Sequence, residues 1–188
     1  MTNPIDFLSL FGRSRELKSA LEQSRARLYR VAYAWCHNAA LADDLVQDTL
    51  TKAMQKSAQL RDPKARDAWL FSILTNCYRD HFRRQRDMDD IDELELAQDG
   101  TPETENSQLQ IIEKVRAAVA RLPEGQRQVV TLVDLEGFSY IEVAAILDVP
   151  IGTVMSRLCR ARNAMKSQLL REFGKAPDAQ GPQIRRIK

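Results

Sequence analysis

Polar and basic side chains line one face of a helical pattern at residues 153–169. At about 100° per residue, the apolar residues of this stretch form a single stripe, which holds Val154, Leu158, Ala161, Met165 and Leu169. The opposite face carries Thr153, Ser156, Arg160 and Asn163, with Arg157 at its edge. No Asp or Glu occurs between residues 150 and 170. Because short polar groups and arginine are side chains that contact DNA phosphates and base edges, the chemistry available here is hydrogen bonding to a nucleic acid.

A shorter helix is predicted just before this one. Ser139 is a natural N-cap, and Glu142 three residues later completes a capping box. The pattern places four residues on the inner face of this helix: Ile141, Ala144, Ala145 and Leu147. Asp148-Val149-Pro150 ends it, because proline cannot extend a helix that precedes it. Two helices joined by a tight turn, the second with a polar outer face, predict a helix-turn-helix.

A basic outer face also has a simpler interpretation, because arginine on a solvated helix commonly serves only solubility. Spacing alone does not separate the two interpretations. The small polar residues near the start of the second helix, together with the absence of acids along it, favour DNA contact.

Two blocks of the sequence resemble one known family. The string LPEGQRQVVTLVDLEGFSYIEVAAILDVPIGTVMSRLCRAR, residues 122–162, resembles the promoter-recognising C-terminal domain of bacterial RNA polymerase sigma factors of the extracytoplasmic-function (ECF) group. The strings ALADDLVQDTL, residues 40–50, and AWLFSILTNCYRDHFRRQR, residues 68–86, resemble the N-terminal domain of the same group. The resemblance covers most of residues 14–172, in the family's order. It implies a factor that binds core RNA polymerase, directs it to promoter DNA and helps melt that DNA, for a stress or envelope-response regulon.

The predicted fold is all-α, with two small helical domains joined by a flexible acidic linker. Residues 1–13 form an N-terminal leader, 14–86 a sigma region 2 domain, 87–108 the linker, 109–172 a sigma region 4 domain with the helix-turn-helix, and 173–188 a basic tail. Residues 13–86 contain 15 basic residues (Lys and Arg) and 8 acidic ones (Asp and Glu). Residues 87–108 contain no basic and 9 acidic residues, and residues 109–172 contain 9 basic and 7 acidic residues. Basic domains on either side of an acidic strip favour a polyanionic partner.

Three amphipathic helices are predicted in the N-terminal domain. The first has its core face at Leu17, Leu21, Leu28, Val31, Ala32 and Trp35, and Asn38 caps the second. The second has its core face at Leu41, Leu45, Val46, Thr49, Leu50, Ala53 and Met54. The third, residues 68–86, buries Trp69, Leu70, Ile73, Leu74, Cys77 and Phe82. In the C-terminal domain, residues 109–122 are predicted to form an amphipathic helix with its apolar face at Leu109, Ile112, Val115, Val119 and Leu122, and residues 126–135 add another helix.

The resemblance assigns roles to three sets of residues. The predicted contact with core polymerase comprises Asp44, Leu45, Gln47 and Asp48. Minus-ten recognition and melting are assigned to the loop residues Arg61, Lys64 and Arg66, and to the helix residues Asn76, Arg79, Arg83 and Arg84. Minus-thirty-five recognition is assigned to Thr153, Met155, Ser156, Arg157 and Arg160. Met155 stands where many family members carry Lys or Arg.

Catalytic chemistry is not predicted. The sequence has no phosphate-binding glycine loop and no nucleophile-and-base constellation, and Cys36, Cys77 and Cys159 lack the spacing of a zinc site. No catalytic residue, metal or cofactor is therefore expected. The apolar stretch at residues 5–11 is too short to span a membrane, so no direct membrane insertion is expected. The protein is expected to be cytoplasmic, monomeric when free, and bound by an anti-sigma factor.

Three alternatives remain open. A sigma-like decoy that sequesters an anti-sigma factor would not need the basic face at Arg157 and Arg160. A helix-turn-helix repressor leaves the block at residues 69–86 unexplained, and an enzyme acting on nucleic acid lacks a catalytic constellation. Transcription reconstituted with core polymerase distinguishes all of them.

Overall fold

The structure is a computed structural model that describes residues 4–60, 62–88 and 107–173 of the 188-residue chain. Within these ranges every regular element is helical, which confirms the all-α prediction. Side chains are described at residue 19 and in residues 21–60, 62–86 and 111–173. Most of the predicted flexible linker, residues 87–108, and the predicted tail beyond residue 173 lie outside the described residues.

The N-terminal unit, residues 4–60 and 62–88, contains three long helices. They are α1 (Pro4–Cys36), α2 (Ala39–Gln55) and α3 (Arg66–Met88). Helix α1 begins at Pro4, so part of the predicted leader belongs to it; proline suits the first helical position because its missing N–H needs no partner there. The Asn38 side chain accepts a hydrogen bond from the Leu41 amide at 2.9 Å, which confirms it as the N-cap of α2.

The predicted core of this unit is largely present. Buried side chains on α1 are Leu21, Leu28, Val31, Ala32 and Trp35, and on α2 they are Ala42, Leu45, Val46, Thr49 and Ala53. The prediction that Met54 faces the core is wrong, since its side chain is 55% exposed. The buried stripe of α2 passes through Ala53, and Met54 lies about 100° farther around the helix.

The C-terminal unit, residues 107–173, contains α4 (Ser107–Ala120), α5 (Glu124–Val130), α6 (Tyr140–Leu147) and α7 (Ile151–Phe173). Helix α5 continues as a π-helical segment, Thr131–Leu135. The predicted capping box is confirmed: Ser139 accepts from the Glu142 amide, and the Glu142 carboxylate accepts from the Ser139 amide at 2.8 Å. Asp148 then adopts a left-handed conformation with φ 49°, which ends α6.

The predicted inner face of α6 is wrong in part. Ile141 is 73% exposed and Ala145 is also exposed, while the buried side chains are Val143, Ile146 and Leu147. Six of the eight residues of α6, in the string YIEVAAIL, are aliphatic. A helix with apolar side chains on most of its circumference gives a weak periodic signal, and tertiary contacts then decide which face is buried.

The two units pack against each other through a shared hydrophobic core. Helix α3 of the N-terminal unit lies against α6, and α1 lies against α4, α5 and the π-helical segment. The rings of Phe71 and Phe138 meet edge to face at 5.0 Å, and the Trp35 indole N–H donates to the Thr131 hydroxyl at 2.7 Å. Both contacts join the two units. An aromatic pair of this kind and a buried hydrogen bond each contribute roughly 1 kcal/mol.

Candidate nucleic-acid and polymerase interfaces

Helix α7 has the two-faced character that the sequence predicts. Val154, Leu158 and Ala161 are buried against the rest of the C-terminal unit. On the outside, Met155, Arg160 and Asn163 are exposed. Among the described residues Arg160 has no hydrogen-bond or ion-pair partner, so its guanidinium is available for a ligand.

The other predicted DNA-contacting residues of α7 are partly engaged within the protein. Thr153, Ser156 and Arg157 are half-buried. The Ser156 hydroxyl donates to the Thr153 carbonyl at 3.1 Å. The Arg157 guanidinium lies over Gly125 of α5, where an added Cβ would be 3.0 Å from its Cζ. Arg157 is therefore directed along the side of the helix, and glycine at residue 125 provides the space it occupies.

The predicted minus-ten surface lies on the outer side of α3. The side chains of Asn76, Arg79, Arg83 and Arg84 are all exposed. Arg83 is held by Asp80 at 3.1 Å, within its own helix. Arg79 instead donates to the carbonyl oxygen of Leu147, at the end of α6 in the other unit. One of the residues assigned to the minus-ten element is thus occupied in the contact between units.

The predicted base-capturing loop consists of two short 3₁₀ turns, Ser57–Gln59 and Pro63–Ala65. The Asp62 carboxylate accepts from the Lys64 amide at 2.9 Å, which fixes the second turn. Lys64 is exposed, whereas Arg66 is half-buried with its Nε 3.6 Å from the Asp67 carboxylate. Arg61, which is assigned to the same loop, lies outside the described residues.

The predicted polymerase contact on α2 forms a continuous exposed strip at Asp44, Gln47 and Asp48. Leu45 does not belong to it. Its side chain is 2% exposed and part of the core, because Leu45 lies on the stripe that packs against α1 and α3. The assignment of Leu45 to a partner contact is therefore corrected, and Leu45 is a folding residue.

An ion cluster between the units has no counterpart in the sequence predictions. The Glu136 side chain, 1% exposed, accepts from Arg27 Nε at 2.7 Å and lies 3.4 Å from Arg30. Arg27 also donates to Asp67 at 2.5 Å. Burial acts to lower the pKa of Arg27, but its hydrogen bonds to Asp67 and Glu136 outweigh that effect and the pKa is raised. A nearly inaccessible carboxylate of the C-terminal unit is thus neutralised by arginines of the N-terminal unit.

A second polar contact between the units involves His37. Its Nε2 lies 3.1 Å from Arg127 Nη1, and Arg127 also donates to the Ala120 carbonyl at 3.0 Å. Burial and the charge of Arg127 lower the pKa of His37. The imidazole is therefore neutral at pH 7, and its Nε2 can accept the hydrogen bond from the guanidinium.

A groove of about 720 Å³ opens between α1 and α4. Its walls include Tyr29 and Tyr33 from the N-terminal unit and the exposed apolar side chains of the C-terminal unit, namely Ile111, Ile112, Val115 and Leu135. Arg30 and Arg116 also line it. The sequence predicts that Ile112 and Val115 belong to the packed face of their helix, but both are substantially exposed. They form an apolar surface that no other described residue covers.

The described residues contain no group of His, Cys, Asp or Glu able to hold a metal ion. None of the helices in the described ranges is long and apolar enough to cross a membrane.

Comparison with known proteins identifies two matching family models. Residues 20–88 match the model of sigma-70 region 2, and residues 112–165 match that of sigma-70 region 4. They correspond to the N-terminal unit and to the part of the C-terminal unit that holds the helix-turn-helix.

Individual relatives agree with these matches. The ECF RNA polymerase sigma factor EcfG of Rhodopseudomonas palustris is 38% identical over 133 residues, covering 70% of this chain and 73% of the relative. The ECF RNA polymerase sigma-E factor of Escherichia coli is 34% identical over 142 residues, covering 67% and 72%. Among solved structures, the sigma factor RpoE of Bartonella quintana, in complex with the anti-sigma factor NepR, has a TM-score of 0.69 and 30% identity, covering 82% of this chain and 97% of that chain.

Proposed function

Because the chain belongs to the ECF group of RNA polymerase sigma factors, we propose that it binds core RNA polymerase, directs it to particular promoters and helps melt the DNA there. The observation that carries the proposal is the helix-turn-helix of α6 and α7, whose second helix presents an unpaired Arg160 on a face without acids. In this proposed role the chain catalyses no reaction. It acts in the cytoplasm, where RNA polymerase transcribes DNA.

We assign the three exposed surfaces to three contacts. The acidic strip of Asp44, Gln47 and Asp48 contacts polymerase, because the two exposed carboxylates of Asp44 and Asp48 would repel DNA phosphates. The basic outer side of α3 and the loop at residues 57–67 contact the minus-ten element. A base leaving the stack there costs a few kcal/mol, which a pocket beside cationic side chains offsets. The outer face of α7 contacts the minus-thirty-five element.

The packing of α3 against α6 holds the unit with the minus-ten surface against the unit with the helix-turn-helix. The two promoter elements, in contrast, are separated by many base pairs of DNA, each of which adds about 3.4 Å along the helix. One compact chain cannot contact both at once. We infer that this arrangement is a closed form and that the units separate when the chain binds promoter DNA with polymerase. Opening would also release Arg79 from Leu147.

We also propose an anti-sigma factor as a partner, since the related sigma factor RpoE of Bartonella quintana has been solved in complex with one. The groove between α1 and α4 is lined mainly by apolar side chains, and Arg30 and Arg116 also line it. An amphipathic helix with acidic flanks would match both features. Because the groove is lined by both units, a helix bound in it would stabilise the closed form and withhold the chain from polymerase.

Reconstituted transcription tests the function. Core polymerase is mixed with genomic promoter fragments of the source bacterium, with and without the purified chain. We expect discrete transcripts that start at particular sites only when the chain is present. Binding to an anti-sigma factor without any transcript would instead support a decoy, and DNA binding that lowers transcription would support a repressor.

Arg160 and Arg157 are expected to differ in what they contribute to promoter binding. Arg160 is exposed and unpaired, so we assign it to base edges, whereas Arg157 lies over Gly125 at the side of the helix, and we assign it to a phosphate. Arg160→Ala should cost about 1–3 kcal/mol at particular bases. Arg157→Ala should weaken all sequences alike and reduce the salt slope by about one. Titration against single-base promoter variants at several salt concentrations measures both; a uniform loss for Arg160→Ala contradicts the assignment.

A further inference from the structure

Two large apolar side chains are exposed at the start of α7. Met155 is 53% exposed and Ile151 is 45% exposed. They are four residues apart on one helix, so their Cβ atoms are neighbours at about 5–6 Å. Together they form a small apolar surface, called here the Met155 patch, beside the polar face of the helix.

The Met155 patch has no role in the fold of the C-terminal unit. The core contacts of α7 come from Val154, Leu158 and Ala161, which lie about 60–120° around the helix from Met155. Single exposed apolar residues are common on proteins. This pair, however, occupies the N-terminal part of a recognition helix, which is the part that meets base edges when a helix-turn-helix enters the major groove.

The hydrogen-bonding capacity of this part of the helix is limited. The Ser156 hydroxyl donates its proton to the Thr153 carbonyl, and the Arg157 guanidinium lies over Gly125 of α5. Besides the Thr153 hydroxyl, the first turns of α7 therefore offer mainly apolar contact to a base. In the major groove the apolar group that a base presents is the C5 methyl of thymine. The unbranched thioether of Met155 can adapt to the position of such a methyl.

We propose that Met155, supported by Ile151, recognises the methyl group of a thymine in the minus-thirty-five element. This inference rests on the proposed function, because it requires α7 to enter the major groove of a promoter. It names a specificity contact that uses no hydrogen bond, and it accounts for an exposed apolar residue at the edge of a DNA-contacting surface.

Deoxyuridine tests the inference directly, since it keeps every hydrogen bond of thymidine and lacks only the methyl. The minus-thirty-five element is first selected from a random library with core polymerase and the full chain. Each thymine of the element, on either strand, is then replaced singly by deoxyuridine, and binding is titrated. At one position or more we expect about fourfold weaker binding, the effect of one buried methyl. Met155→Ala should bind the thymine and uracil forms equally, while Met155→Leu should retain most of the difference.

Two controls isolate the contact. Ser167→Ala changes an exposed residue far along α7 and should leave the thymine-to-uracil ratio as in the parent chain, as should deoxyuridine placed outside the element. Equal ratios for the parent chain and Met155→Ala at every position overturn the inference, and so does a selected element without thymine. A loss of core polymerase binding by Met155→Ala with an unchanged ratio overturns it in favour of a protein contact. Failure to select any element overturns the proposed function itself.

Discussion

Replacing Glu136 with arginine is expected to open the closed form and to increase the affinity of the free chain for promoter DNA. The Glu136 side chain is 1% exposed and is bound by Arg27 and Arg30 across the contact between units. An arginine at this position would place three cations together at a site with almost no access to water. The units can relieve that repulsion by separating, because Glu136 and Arg27 belong to different units.

The size of the effect follows from the burial of the pair. Breaking a fully buried ion pair costs about 3–5 kcal/mol. Here the arginines are 33% and 59% exposed, so solvent screening reduces the cost to about 2–3 kcal/mol. The ratio of closed to open chain should then fall roughly 30- to 150-fold. Small-angle X-ray scattering should record a larger radius of gyration, and titration with promoter DNA should show tighter binding.

A matched control exists within the C-terminal unit. Glu172 forms an ion pair with Arg121 at 2.8 Å, and both residues belong to that unit. Glu172→Arg therefore reverses a charge and breaks an ion pair outside the contact between units. It should leave the radius of gyration unchanged. If Glu136→Arg folds with normal helicity and also keeps the parent radius, the ion cluster does not hold the units closed.

Local signals in the sequence predicted much of the fold. Capping residues are local, because a side chain such as Asn38 or Ser139 bonds an amide only three residues ahead. The buried stripe of α7 is likewise set by helical geometry, and Val154, Leu158 and Ala161 are buried as the period predicts. These features require no knowledge of what the helix packs against.

Contacts between the units could not be predicted in this way. Glu136 and Arg27 are separated by 109 residues, and neither residue type signals a partner at that distance. Phe71 and Tyr78 are buried on α3 in addition to the predicted face. Helix α3 packs against helices of both units, so more of its circumference is covered than one amphipathic stripe implies. The availability of Arg79 depends on the same packing.

The predicted polymerase contact on α2 includes residues whose exposure could be predicted from the sequence and one residue, Leu45, for which the prediction failed. The exposed strip at Asp44, Gln47 and Asp48 follows from helical spacing, and its exposure is confirmed. Leu45 adjoins Asp44 in the sequence but lies about 100° around the helix, on the buried side. Proximity in sequence to a binding residue therefore does not place a side chain in the binding surface.

Reversing Asp44 and Asp48 to lysine is expected to abolish binding to core polymerase. Both carboxylates are exposed on one face of α2 with Gln47 between them, and neither has a hydrogen-bond or ion-pair partner among the described residues. Both carboxylates can therefore form ion pairs with basic residues of a partner. Each lysine would replace such an attraction by a repulsion. Loss of one buried charge pair at an interface costs about 2–5 kcal/mol, so two reversals should lower the affinity by at least about a thousandfold. Pull-down with core polymerase, followed by titration of labelled chain, measures the loss.

Two further variants decide whether that loss reflects a contact or a change of charge or fold. Glu22→Lys with Glu172→Lys changes the net charge equally at residues outside α2, and it should bind polymerase normally. Leu45→Ala removes a core side chain and should lower the stability of the chain by about 2–5 kcal/mol; below its melting temperature it should still bind polymerase, because its Asp44 and Asp48 remain exposed. The double aspartate variant should show the reverse combination, with parental thermal stability and no binding. Undiminished polymerase binding by a folded Asp44→Lys, Asp48→Lys chain would place the contact elsewhere on the N-terminal unit, since no attraction between this strip and a basic partner surface survives a change of four charge units.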